Sequence, residues 1–332
     1  MLGRREFLQL GVLAGITGLA GCGRTFSQPT LRAAAETLPK ELLETLPKPW
    51  IFKKLTAKKE LGPSKLVIDS TTDLVAIGDG WISELSDNAF TAIGSEQIFS
   101  RLDKHSQFFL QGFGQDFLSK ILPVAFSPWV MLFRNGKNWI SRASGKDGWS
   151  VLLEPELAGS VVLPSSPRLV ISLAERINQA DSLRKLRTQA LTFDDRNSLN
   201  WVLSGRARVA VLPLNRCFRS LTRDPRLNIA LPQSGAPLNW TVLMRPAQTT
   251  EPFPEDWLEA AWEMPLLGKL FARGWIPPIT HSERLKATNR IPINYQQILF
   301  PAESFWEKCW SLPLLSIPER NRLESLWAQS TP

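Results

Sequence analysis

The apolar run Leu74-Val75-Ala76-Ile77 empties straight into Gly78-Asp79-Gly80-Trp81, and apolar residues resume at Ile82 and Leu85. A short continuous apolar run bounded by glycines predicts a buried strand ending in a tight turn, and the following segment predicts the start of a helix. That succession belongs to an α/β domain, in which such a loop lies at the carboxyl edge of a parallel sheet.

The remaining segments agree with it. Strands are expected over 31–38, 50–55, 123–135 with a bend at Pro128, 161–164, 206–212 and 236–244. Helices are expected over 40–46, closed by Pro47 and Pro49, and over 257–273, interrupted at Pro265 and ended by Gly274. A helical turn punctuated by Pro155 and Gly159 follows Trp149. Ser166 is a natural N-cap for a helix whose first residue is Pro167. With 332 residues and 43% apolar content, the chain can bury two modest cores.

The beginning of the chain carries an address. Arg4-Arg5 followed by Glu6-Phe7-Leu8 is a twin-arginine export signal, and the apolar stretch from Phe7 to Ala20 is too short to anchor in a bilayer. Leu19-Ala20-Gly21-Cys22 resembles a bacterial lipobox, in which the cysteine is lipidated and becomes the new N-terminus. Residues 1–21 are therefore expected to be a signal peptide and 22–30 a polar tether. The rest should stand on the periplasmic face of a plasma membrane, lipid-anchored through Cys22. A net charge of +8 suits a surface above anionic headgroups, or an anionic partner.

Several classes are excluded. Basic residues are scattered and no nucleic-acid module is present, so no nucleic-acid partner is expected. The two histidines, His105 and His281, are not in metal-ligand spacing, and no GxSxG, GxxxxGK or GxGxxG turn occurs. No enzyme activity, cofactor or metal is expected. Cys217 and Cys309 could pair in an oxidising compartment or stay as two buried free thiols, and the reading favours free thiols.

Taken in order, 72–81, 123–135, 149–177, 204–215, 239–247 and 260–278 resemble the spermidine/putrescine-type substrate-binding proteins of ABC importers. The stretch Leu153-Glu154-Pro155-Glu156-Leu157-Ala158-Gly159-Ser160 running on to Arg168 is especially similar. The resemblance implies a two-lobe periplasmic-binding-protein type II fold with a hinge and an interlobe cleft. Residues 31–126 and 240–332 would form the first lobe and 127–239 the second, with crossings near Ser127–Val130 and Leu238–Thr241. It also implies a monomeric lipoprotein that captures a small-molecule solute by lobe closure and hands it to ABC permease subunits. The alternative is a degenerate member acting as a structural or assembly lipoprotein.

The family holds polyamines with carboxylates and tryptophans at positions that here read Ser165, Ser166, Leu169, Pro213, Asn239 and Thr241. A polyamine needs those carboxylates for its ammonium groups. The residues present predict another solute, anionic or zwitterionic. Asp79, Gly80 and Trp81 would line the cleft floor, Ser127 and Trp129 the first crossing, and Asn239 and Trp240 the second. Ser165, Ser166, Arg168, Asn215 and Arg216 would form an anion-binding end at a helix N-terminus. Asp79 has a second reading as a turn-stabilising residue, Ser166 as a cap alone, Trp81 and Trp129 as core residues and Arg168 as one half of a surface ion pair, while Trp240 could point to either face of its strand.

Overall fold

The structure is a computed structural model that describes residues 28–34, 36–55, 68–177 and 179–332. The export signal, Cys22 and most of the tether lie outside the described residues. The strands are β1 (Thr30–Ala33), β2 (Ile51–Lys54), β3 (Leu74–Gly78), β4 (Phe90–Thr91), β5 (Ile121–Arg134), β6 (Val161–Leu163), β7 (Ala190–Phe193), β8 (Val209–Pro213), β9 (Leu227–Ala230) and β10 (Leu238–Pro246). Their order is β2-β1-β3-β10-β5-β8-β6-β7, with β4 beside β10 and β9 beside β5.

The path contains two parallel triplets joined by two long strands. β2, β1 and β3 run parallel, as do β8, β6 and β7. Between them, β10 is antiparallel to β3, and β5 is antiparallel to both β10 and β8. Along β5 the partner changes. Ile121 through Pro128 pair with β10, whereas Trp129 through Phe133 pair with β8. The switch falls at Pro128, whose missing N–H cannot continue a ladder. The change of partner falls at the bend expected there.

Two hydrophobic cores follow. The first gathers Leu31, Val75, Ile77, Phe126, Trp240, Trp262 and Trp306. The second gathers Met131, Phe133, Trp149, Val161, Leu173, Val209 and Val211. β8 serves both, because Val209 and Val211 face the second while Ala210 and Leu212 face the first.

Several boundaries differ from expectation. β1 begins at Thr30, so the tether is shorter, and it ends at Ala33; Glu36 takes a left-handed φ of 63°. Asp79–Glu84 is a 3-10 turn rather than a helix starting at Ile82. Pro265 breaks the expected long helix into Glu255–Ala261 and Leu266–Phe271. The pattern gave no sign of the helices Glu96–Ser100, Lys104–Gln111, Ser182–Gln189 or Leu214–Leu221.

The assignment of everything from 240 to 332 to the first lobe also needs correction. Helix Ile317–Gln329 packs on helix Pro167–Ile177, and Trp327 meets Phe193 at 5.5 Å with the Arg187 guanidinium 4.0 Å over its ring. The chain's last helix thus rests on the second lobe. Cys217 and Cys309 are free thiols, the former buried with Sγ donating to the Leu214 carbonyl.

Candidate interlobe site

β3 delivers Asp79 to the seam between the lobes. Thr241 is paired with Gly78, so the residue after Gly78 meets the one before Thr241, and the Trp240 N–H donates to Asp79 Oδ1 at 3.4 Å. Asp79 is half-buried. Burial pushes its carboxyl up to about 7, against the opposing effect of backbone donors and the Arg168 cation. Gly80 is exposed and has open space where a Cβ would stand. Trp81 is half-buried against the first core.

Arg168 approaches from the second lobe. It is the second residue of helix Pro167–Ile177, which Ser166 caps by accepting from Leu169 N–H at 3.4 Å. Its guanidinium is half-buried and donates to the Pro313 carbonyl. Burial lowers its pKa, while Asp79 and Glu319 act the other way.

The hinge contributes a polar row. Ser127 faces Asn239 across the β5–β10 ladder, and the buried Ser127 Oγ accepts from Asn215 N–H at 3.0 Å. Asn215 Oδ1 is buried and has no hydrogen-bond partner. Asn239 is half-buried, as is Trp129, which packs against the second core.

Two parts of the expected site require correction. Trp240 is fully buried in the first core, stacked on Phe109 at 4.4 Å and packed on Phe126 at 5.0 Å. Strand alternation sends its ring away from the face that Asn239 and its neighbours present. The expected anion-binding end, moreover, already holds an anion. Both the N–H and Oγ of Ser165 donate to the Asp195 carboxylate, and Arg216 donates to the Asp195 carbonyl and pairs with Glu36 at 3.6 Å. Ser165 and Arg216 are therefore neutralised by the chain itself.

Three of the other substituted positions are closed as well. Leu169 is in the core, Pro213 is buried at the end of β8, and the Thr241 hydroxyl donates to the Thr37 carbonyl at 3.5 Å. Asp195, Glu36, Ser311 and Pro313 were not anticipated. Asp194-Asp195 directly after a strand was a readable cue for Asp195. Ser311 and Pro313 had none, since nothing local in sequence says which distant lobe a loop will touch.

No family model matches the chain, and no curated protein matches it. Solved structures do. A putative spermidine/putrescine ABC transporter from Listeria monocytogenes superimposes with a TM-score of 0.65 at 15% identity, covering 92% of this chain and 99% of that one. The TpPotD lipoprotein of Treponema pallidum gives 0.64 at 13% identity, with 91% and 99% covered. A periplasmic thiamin binding protein gives 0.61 at 12% identity, with 92% and 96% covered.

The chain has the type II periplasmic-binding-protein fold.

In this fold β5 and β10 run between the two parallel triplets, with Asp79 directly after β3 on one side and Arg168 in the helix after β6 on the other. Similarity at 12–15% identity establishes the type II fold and leaves the solute to the residues of this seam. No helix among the described residues is long and apolar enough to cross a membrane.

Proposed function

We propose that this chain is an extracytoplasmic, lipid-anchored receptor that captures a small solute between its lobes for an ABC permease. The observation that carries the reading is the pairing of a half-buried Asp79, lifted to about 7, with Arg168 from the opposite lobe. Opposed charges on the two sides of a hinge fit a zwitterion. Its ammonium group would meet Asp79 and its acidic group Arg168, completing a contact that draws the lobes together. Asn215 Oδ1 supplies an unsatisfied acceptor on the hinge side.

A polyamine does not fit this seam. Among the described residues, the carboxylates near it are Asp195, bonded by Ser165, Glu36, paired with Arg216, Glu319, which accepts from Ser316, and Asp79, which is left for a single ammonium. The solved relatives named for spermidine and putrescine lend the architecture to this reading, not the ligand. Isothermal titration of the purified protein with zwitterionic amino acids and with spermidine tests it. Saturable heat from an amino acid, abolished by Asp79→Asn, is the expected outcome; micromolar spermidine binding would overturn the ligand class.

A second reading has its own support. The self-made bonds at Ser165, Arg168 and Arg216 resemble what would remain in a protein that no longer binds solute and serves as a structural lipoprotein. That reading requires every solute titration to be flat.

A further inference from the structure

The chain's charge is segregated. Residues 127–239, which carry the second parallel triplet, hold 16 lysines and arginines against 8 acidic residues, whereas the rest of the chain holds 23 against 23. The whole excess of +8 therefore belongs to one part of the molecule. These cations are scattered in sequence, and the fold gathers several of them.

They meet where β5 ends, on the side of the second triplet away from the seam. Arg134 N–H donates to the Arg208 carbonyl at 3.0 Å, and Asn135 N–H donates to the Arg226 carbonyl at 2.8 Å. Arg206 and Arg223 lie in the same two loops, and Arg223 and Arg226 line a surface hollow of about 480 Å³ with Leu203, Ser220, Asp224 and Pro225. The Arg134 guanidinium is spent on the Val202 and Leu203 carbonyls at the end of helix Ser198–Leu203. Arg206, Arg208, Arg223 and Arg226 are exposed. In the loops 154–160, 204–208 and 222–226 the carboxylates are Glu154, paired with Arg142, Glu156, and Asp224, paired with Arg226 at 2.7 Å. Hydrogen bonds from Arg226 and the charge of Arg134 hold the Asp224 carboxyl down to about 2. Six arginines thus stand against three carboxylates at this end.

We propose that this arginine-rich end docks on the anionic phospholipid headgroups of the membrane that holds the chain. Arginine suits phosphate, and a cluster of basic side chains binds an anionic surface by about 1 kcal/mol for each cation that reaches it. A lipid chain and a basic patch are also the two signals that together hold a protein on a bilayer. Chain length sets the posture. The register Leu31–Leu74 and Val75–Met244–Ile121 puts the start of β1 level with the start of β5, and the 14 residues of β5 separate that level from Arg134 by about 43 Å. Cys22 lies eight residues before Thr30, at most about 28 Å of chain. Anchor and arginines therefore reach one bilayer only when the molecule leans toward the membrane plane. An acidic protein fits less well, because these arginines surround no apolar centre of the kind that forms the middle of a protein interface. The proposal rests on the membrane placement in the proposed function and is independent of the solute.

Vesicle co-sedimentation of the full chain carrying Cys22→Ser, which leaves no site for the acyl group, tests it without any solute. Vesicles of phosphatidylcholine alone are compared with vesicles that also contain phosphatidylglycerol. The chain should bind the anionic vesicles more tightly than the neutral ones, and added salt should remove the difference. Arg206→Ser and Arg223→Ser, both at exposed positions, should each weaken binding to the anionic vesicles about fivefold. Lys104→Ser with Lys286→Ser, exposed cations of the other half, should change it less than about twofold. Equal binding to both vesicle types, or equal loss in the arginine and lysine variants, overturns the proposal. Tighter binding of polyglutamate than of the anionic vesicles would assign the end to an acidic protein and overturns it too. Flat solute titrations would leave it standing.

Discussion

Asp79 and Arg168 belong to different lobes, yet each acts on the other's charge. Burial lifts the Asp79 carboxyl to about 7 and the Arg168 cation pulls it back; burial lowers the Arg168 pKa and the Asp79 carboxylate raises it. Among the described residues neither group is in an ion pair, so above about pH 7 the two are partly desolvated opposite charges that a ligand could bridge.

Replacing Arg168 with Gln should therefore move the Asp79 carboxyl further above 7. Carbon NMR of the carboxyl as a function of pH measures this. A titration midpoint that stays where it was would show that the two groups do not sense one another.

Asp79 also makes stability depend on pH in a stated direction. The folded chain keeps the Asp79 proton up to about 7, whereas the unfolded chain loses it near 3.8. The stability that this proton brings is present below the lower value and is lost as pH rises through the upper one. Relative to Asp79→Asn, the unmodified protein should lose about 2 kcal/mol between about pH 4 and about pH 8, partial solvent screening included. Urea unfolding at the two pH values compares them, and a constant difference would contradict the assignment.

Trp240 should behave as a core residue. Trp240→Ala should cost about 3–5 kcal/mol in urea unfolding, as large aromatic deletions do. Trp240→Phe, which keeps the ring contacts with Phe109 and Phe126 but loses the bond to Ser311, should cost much less. A mild effect from the alanine variant would place the side chain in the cleft after all.

The buried ion pair between Arg284 and Asp103, at 2.9 Å, should show the asymmetry of desolvated charges. Asp103→Asn leaves the buried Arg284 cation with only the more distant Glu303 carboxylate at 4.0 Å and should cost about 3 kcal/mol, whereas the double variant Asp103→Leu with Arg284→Met should recover most of that. Chemical unfolding of the set decides it; an additive double variant would argue against coupling.

Much of this architecture was readable in the sequence, and the reasons are local. β3, β5, β6 and β10 are apolar runs long enough to announce themselves, and the Ser166–Pro167 start is a chemical signature that the structure repeats in its cap bond. The helix from Lys104 to Gln111 was invisible because His105, Ser106 and Gln107 dilute its apolar stripe to Phe109 and Leu110. The site was legible as a set of positions but not as a set of partners. Asp79 and Arg168 were both anticipated. That Asp195 would fill the Ser165 and Arg216 end, and that Pro313 would reach Arg168, depends on contacts between residues 21 to 145 positions apart. The direction of Trp240 stayed open for a related reason, since the pattern fixes strand alternation but not which face looks into the core.

The account stands or falls on solute capture between the lobes. A thermal-shift screen of the purified protein against amino acids, spermidine, putrescine, phosphonates and organic acids tests it most directly. The account predicts that a zwitterionic member raises the melting temperature by several degrees and that Asp79→Asn abolishes the shift. A screen in which no member shifts the melting temperature, or in which spermidine alone does, would contradict it.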